Sequence, residues 1–140
     1  MRNRGAAVIV DMDQVAVIKR TRNGAEYYVF PGGGMEDGES PEQATIREVF
    51  EELGVHIKIK ESLGTVQFNG TQHYFIAEII GGVFGTGAGE EFEADRNRGT
   101  YEPMWMPINQ LLSVDVRPIV IAEKLFKYNG GKEHASDKTN

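Results

Sequence analysis

The chain has 140 residues, the length of one ordinary domain that can bury a core without covalent staples. It is 40% hydrophobic and 26% charged, and it lacks cysteine, which excludes disulfides, thiolate metal sites and a cysteine nucleophile. The net charge of 15 − 21 = −6 argues against a broad grip on a nucleic acid polymer, yet permits a small anionic substrate whose charge a metal ion offsets.

The N-terminal MRNRGAAVIVD holds only a five-residue apolar run, Ala6 to Val10, too short for a signal-peptide core or a membrane span. A cytoplasmic protein with no membrane partner is therefore expected. Residues 6–10, 14–20 and 26–30 are rich in β-branched or aromatic side chains, and Asp11-Met12-Asp13 and Arg22-Asn23-Gly24 separate them, which predicts three strands with tight connections. PGGG at 31–34 predicts a turn. A helix follows: Ser40 suits the N-cap, Pro41 the first helical position, Gln43 completes a capping box, and Gly54 is placed for a left-handed C-cap.

Further strands are expected near 55–60, 63–68, 73–80 and 103–107, with a long glycine-rich, acidic connection over 81–102. A second helix is expected from about Arg117 to Tyr128, with Pro118 in its first turn. These elements predict one domain over 1–128 and a polar, disordered tail over 129–140. Strands interleaved with two helices give the α/β (α+β) class, a sandwich whose strand order periodicity does not reveal.

REVFEELG at 47–54 places three glutamates on one short helix. With Glu48 at zero and about 100° per residue, Glu51 falls near −60° and Glu52 near +40°, one shared side. Ile46, Val49, Phe50 and Leu53 fall at about 100–200°, the predicted core face. Arg47 stands four residues before Glu51, where it can pair with it. A solvated acidic face is one reading of this helix. Against it, Glu48 and Glu52 are like charges at i, i+4, and no lysine relieves them. Convergent carboxylates of this kind suit a hard divalent cation such as Mg²⁺.

The upstream residues extend the pattern: Gly33, five residues, Glu39, seven residues, then Arg47-Glu48-Val49-Phe50-Glu51-Glu52-Leu53-Gly54-Val55. This resembles the Nudix box, G-x5-E-x7-R-E-U-x-E-E-x-G-U with U apolar, with every specified position filled. At about 7% for each of seven fixed residues, a chance match falls below about 10⁻⁷ per starting position. The resemblance implies a Nudix-type α/β/α sandwich with a mixed β-sheet between helices, and hydrolysis of a nucleoside diphosphate linked to another moiety with Mg²⁺, or Mn²⁺ in its place. It implies metal ligation by Glu48, Glu51 and Glu52, with a backbone carbonyl of Gly32 or Gly33 completing the shell. Glu39 and Arg47 would be an ion-paired scaffold that Glu51 shares, beside the structural Gly33 and Gly54.

In some members of that family a glutamate outside the box serves as general base. Glu90, Glu91, Glu93 and Glu102 are the candidates here, with Glu93 preferred and Glu102 next. A small-molecule nucleotide is the implied partner, a (deoxy)nucleoside triphosphate first, with ADP-ribose or a nucleotide sugar as the alternative; a homodimer is compatible with the family. A non-catalytic nucleotide sensor is the competing class, although such domains commonly break the glutamate positions that are intact here. Tyr28, Phe68 and Tyr74 are candidates to stack on a base and Arg20 to meet a phosphate, each set against the plainer roles of core packing or solvated surface.

Overall fold

A computed structural model describes residues 2–87 and 99–138, with side chains as far as residue 130. Eight strands and two helices appear in the order β1 (Arg4–Asp11), β2 (Gln14–Arg22), β3 (Ala25–Val29), β4 (Gly32–Gly34), α1 (Pro41–Leu53), β5 (Val55–Gln67), β6 (Thr71–Gly82), β7 (Thr100–Pro107), β8 (Val116–Arg117) and α2 (Ile119–Lys138). A 3₁₀ helix spans Ile108–Ser113. The sheet path is β5-β6-β1-β2-β3-β8, with β4 on β1 and β7 on β2. Pairing is mixed: β1 runs parallel to β6, and β3 to β8, while the remaining ladders are antiparallel.

The three expected N-terminal strands form. Asn23 and Gly24 both adopt positive φ, 53° and 79°, the geometry of a primed two-residue hairpin turn. The two strands expected near 55–60 and 63–68 are instead one strand, β5. Register breaks at His56/Ile57, Ile59/Glu61 and Ser62/Gly64 absorb the interruptions in its pattern, and the last lies at Gly64 with φ 141°. PGGG is likewise more than a turn: Gly32–Gly34 pair antiparallel with Arg4–Ala6. The second helix starts at Ile119, after Pro118, and continues past Tyr128 to Lys138 through most of the expected tail. Once its first turns are anchored by the buried Ile121, Ala122 and Leu125, each further residue joins at little cost.

The alternation of strand side chains builds two cores, one on each face of the sheet. Ala6 and Val8 of β1 and Val15 and Val17 of β2 pack with Ile121, Ala122 and Leu125 of α2. Ala7 and Ile9, with Ala16 and Ile18, pack instead with Val49 and Leu53 of α1. This is the α/β/α sandwich expected from the box. Among the described residues no helix is long and apolar enough to cross a membrane.

Candidate active site

The site is built where α1 meets β4. Ser40 caps the helix, accepting from the Gln43 amide at 3.1 Å while the Gln43 side chain accepts from the Ser40 amide at 2.9 Å. Gly54 closes it at φ 77°. The helix lies unusually close to the sheet: a Cβ on Gly5 would overlap the Thr45 hydroxyl, and one on Gly33 would overlap the Glu48 carboxylate. Only glycine admits that approach.

The close seat rotates the helix relative to the expectation. The buried residues of α1 are Ala44, Thr45, Val49, Glu52 and Leu53, an arc with Glu52 near its middle. Ile46 and Phe50, expected in the core, are 39% and 46% exposed. The apolar side chains at these two positions yield the sheet-facing arc to the carboxylate flank, which needs the bare glycine backbone of β4. Phe50 recovers part of its apolar contact by stacking on His56, with ring centroids 4.5 Å apart.

Glu52 is 4% exposed, and its Oε1 accepts a hydrogen bond from the Gly32 amide at 2.7 Å. That short bond offsets part of the cost of burying a carboxylate. Arg47 gathers the other acidic groups. Its Nε and Nη2 donate to Glu39 at 2.8 and 2.9 Å, Nη1 donates to Glu48 at 2.9 Å and to Glu51 at 3.3 Å, and Nη2 also donates to the Gly34 carbonyl at 3.0 Å. The expected Glu39–Arg47 pair shared by Glu51 is thus present. Glu48, Glu36 (3.7 Å from Nη1) and the Gly34 carbonyl join it, and sequence spacing gave no sign of them.

The Arg47 guanidinium, helped by the Glu36 amide at 2.8 Å, holds the Glu39 carboxyl down from its ordinary 4.5 to about 2. The same carboxylates raise Arg47 above its usual range. Between these two pH values the unfolded chain binds the Glu39 proton and the folded chain does not, so stability falls as pH drops through that window. The stability gap between the wild type and Glu39→Gln should therefore be constant above pH 5.5 or so, narrow from about 4.5 downward and close near 2. Urea midpoints measured at several pH values check this; a gap independent of pH would show that Glu39 is not held ionised by Arg47.

As they stand, no three acidic or histidine side chains among the described residues converge tightly enough to grip an ion together. Glu48 and Glu51 are drawn onto Arg47, and Glu52 onto the Gly32 amide. The donor set still fits a hard divalent cation in its chemistry: three carboxylates on one helix flank beside backbone carbonyls of a glycine strand, all oxygen. Arg47 reaches Glu48 and Glu51 through side-chain bonds.

Outside the box the candidates disperse. Glu102 pairs with Lys19 in the β2–β7 register, on the face that carries Met104 and Met106 against α2, away from α1. It does not join the three glutamates. Glu90, Glu91 and Glu93 lie outside the described residues. Tyr28 and Tyr74 pack into the α2-side core, where the Tyr74 hydroxyl donates to Gln72 at 2.9 Å. Phe68 is 65% exposed beside the turn between β5 and β6. Arg20 lies on the α1-side face, its guanidinium 4.1 Å from the Tyr101 ring centre and 5.6 Å from that of Tyr27, while Arg117 covers Tyr27 at 4.0 Å.

A family model of the NUDIX domain matches residues 1–124. The chain belongs to the Nudix hydrolase family. It is similar to a Bacillus subtilis (strain 168) protein provisionally named 8-oxo-dGTP diphosphatase, at 34% identity over 85 residues, 59% of this chain and 57% of that protein. It is also similar to an RNA pyrophosphohydrolase of Vibrio cholerae, at 41% identity over 63 residues, 45% of this chain and 36% of that one. The chain thus spans less than two thirds of the length of these relatives. Among solved structures, a Nudix hydrolase from Nitrosomonas europaea superposes with a TM-score of 0.67 at 23% identity, covering 94% of this chain and 90% of that one, a likeness of fold.

Proposed function

We propose that this Nudix protein hydrolyses the pyrophosphate bond of a nucleoside diphosphate that carries a further group, with a (deoxy)nucleoside triphosphate as the substrate class. The observation that carries the reading is the seat of Glu52: a carboxylate buried at 4% exposure, fixed by the Gly32 amide, on the flank that also carries Glu48 and Glu51. Burying a charge is costly, and a merely solubilising glutamate would face water. The triphosphate preference rests on the provisional name of the Bacillus relative and on the absence of any proline between Gly54 and Pro103, where the ADP-ribose branch usually carries one.

Glu48, Glu51 and Glu52 would hold the divalent ion, Mg²⁺ or Mn²⁺, with the Gly32 or Gly33 carbonyl. Such an ion would offset the charge of the diphosphate and ease ionisation of the attacking water. The chain's own contribution is placement. Arg47 orients Glu48 and Glu51, Glu39 anchors Arg47, and the side-chain-free Gly33 of β4 lets the Glu48 carboxylate lie against the backbone. The water oxygen bonds to phosphorus as the bridging P–O bond breaks, and the water's proton passes to a carboxylate outside the box. Glu93 would take that proton ahead of Glu102, because Glu102 faces the opposite side of the sheet.

The test is product release from canonical and oxidised dNTPs, ADP-ribose, nucleotide sugars and diadenosine polyphosphates, with Mg²⁺, Mn²⁺ or EDTA. Turnover of nucleoside triphosphates that EDTA abolishes is expected. Turnover confined to ADP-ribose or sugar nucleotides would keep the reaction and replace the substrate. Nucleotide binding without turnover would make the protein a sensor.

A further inference from the structure

The turn after β6 is seated on the last turn of α1. The Val83 amide donates to the Gly54 carbonyl at 3.3 Å, and the Gly85 and Thr86 amides donate to the Leu53 carbonyl at 2.9 and 3.3 Å. These bonds satisfy carbonyls that a helix C-terminus otherwise leaves open. The fit is too tight for side chains. A Cβ on Gly87 would overlap the Glu52 carbonyl and lie 2.7 Å from that of Glu51, and a Cβ on Gly54 would overlap the Thr86 hydroxyl. Phe84 anchors the turn at its other end, with its ring centre 5.1 Å from that of Trp105.

We infer that the Val83–Gly87 turn is a clamp that positions Glu52, with Gly87 and Phe84 as its positioning residues. Glu52 is bounded at both ends: its carboxylate accepts from the Gly32 amide, and its main-chain carbonyl lies against Gly87, in a turn bonded to the Leu53 and Gly54 carbonyls. The backbone end matters because a 2.7 Å bond tolerates little displacement. The box consensus does not include Gly87, which lies 35 residues after Glu52, and nothing in its local sequence distinguishes it from the other glycines of 81–89. The inference adds to the proposed metal role of Glu52 but is read first at the Gly32 amide, which needs no metal.

The experiment compares the wild type with Gly87→Ala, Phe84→Leu and the control Ile80→Ala, whose side chain is exposed and which lies in β6 outside the turn. Amide hydrogen exchange and the chemical shift of the Gly32 N–H are followed by NMR without added metal. Then Mn²⁺ affinity is measured by calorimetry, and Mn²⁺ effects on emission from Trp105, the only tryptophan, are recorded. Gly87→Ala should speed Gly32 exchange about tenfold or more and weaken Mn²⁺ binding by about 10–100-fold, with the fold intact. Phe84→Leu should do the same to a smaller degree, and it carries the test if Gly87→Ala does not fold; Ile80→Ala should match the wild type. An unchanged Gly32 amide in folded Gly87→Ala, or in folded Phe84→Leu if that variant alone folds, overturns the clamp, whatever the protein hydrolyses. A loosened Gly32 amide with no Mn²⁺ binding by any variant, the wild type included, leaves the clamp standing and removes the metal role proposed for Glu52.

Discussion

Glu52→Gln should fold as the wild type does and lose nearly all turnover. The glutamine carbonyl can still accept from the Gly32 amide, so the 2.7 Å bond that seats the side chain survives. On the proposed metal role, what disappears is one negative charge facing the ion and one ligand oxygen, a loss of several kcal/mol of transition-state stabilisation, or about 10³-fold in kcat. Glu52→Ala separates the two contributions. It removes the ligand and also strands the buried Gly32 N–H, at a further cost of about 1–3 kcal/mol in folding. Steady-state kinetics at saturating Mg²⁺ beside thermal melts of both variants decide the matter. Near-normal turnover by Glu52→Gln would take Glu52 out of the metal site.

The part of the site legible in the sequence is the part written in fixed spacing. Ser40, Gln43 and Gly54 announce the ends of α1 through local chemistry, and i, i+4 geometry brings Arg47 to Glu51. The Glu39–Arg47 pair spans eight residues and was readable only through the box resemblance. The orientation of the helix was not legible. Hydrophobicity alone assigns Ile46 and Phe50 to the core, yet both are exposed, because the arc of α1 that meets the sheet is centred nearer Glu52, with Val49 and Leu53 against β1 and β2 and Glu48 against the bare backbone of Gly33. Which face a helix buries depends on what lies opposite, and Gly5 and Gly33 come opposite α1 only through long-range strand pairing. The same limit hid β8, two residues long, and the seat of Gly87 on the helix end.

The face assignment also separates candidates that sequence treats alike. Glu102 and Tyr101 are neighbours in β7, yet strand alternation sends the first to the α2 side and the second to the α1 side over Arg20. The acidic residues of the chain are therefore not interchangeable reserves of charge. The ones gathered by Arg47 share a single guanidinium, and removing it releases them together.

Arg47→Ala should consequently lower stability and activity at once, unlike Glu52→Gln. The guanidinium donates to Glu39, Glu48, Glu51 and the Gly34 carbonyl, and its side chain is 26% exposed, so much of the network is shielded from water. Its loss leaves three carboxylates to repel one another and one carbonyl without its donor, an expected cost of about 3 kcal/mol and a fall of about 10 °C in Tm. Turnover should fall by about 10–100-fold, because Glu48 and Glu51 lose their orientation while remaining available for the ligand role proposed for them. Arg47→Lys tests whether charge alone suffices. An ammonium ion keeps the charge but cannot fork to Glu39 with two parallel bonds while reaching Glu48 and Gly34, so it should recover part of the stability and little of the rate. A Tm for Arg47→Ala equal to that of the wild type would show that the acidic flank needs no scaffold. Full activity in Arg47→Lys would show that field, rather than geometry, is what Arg47 supplies.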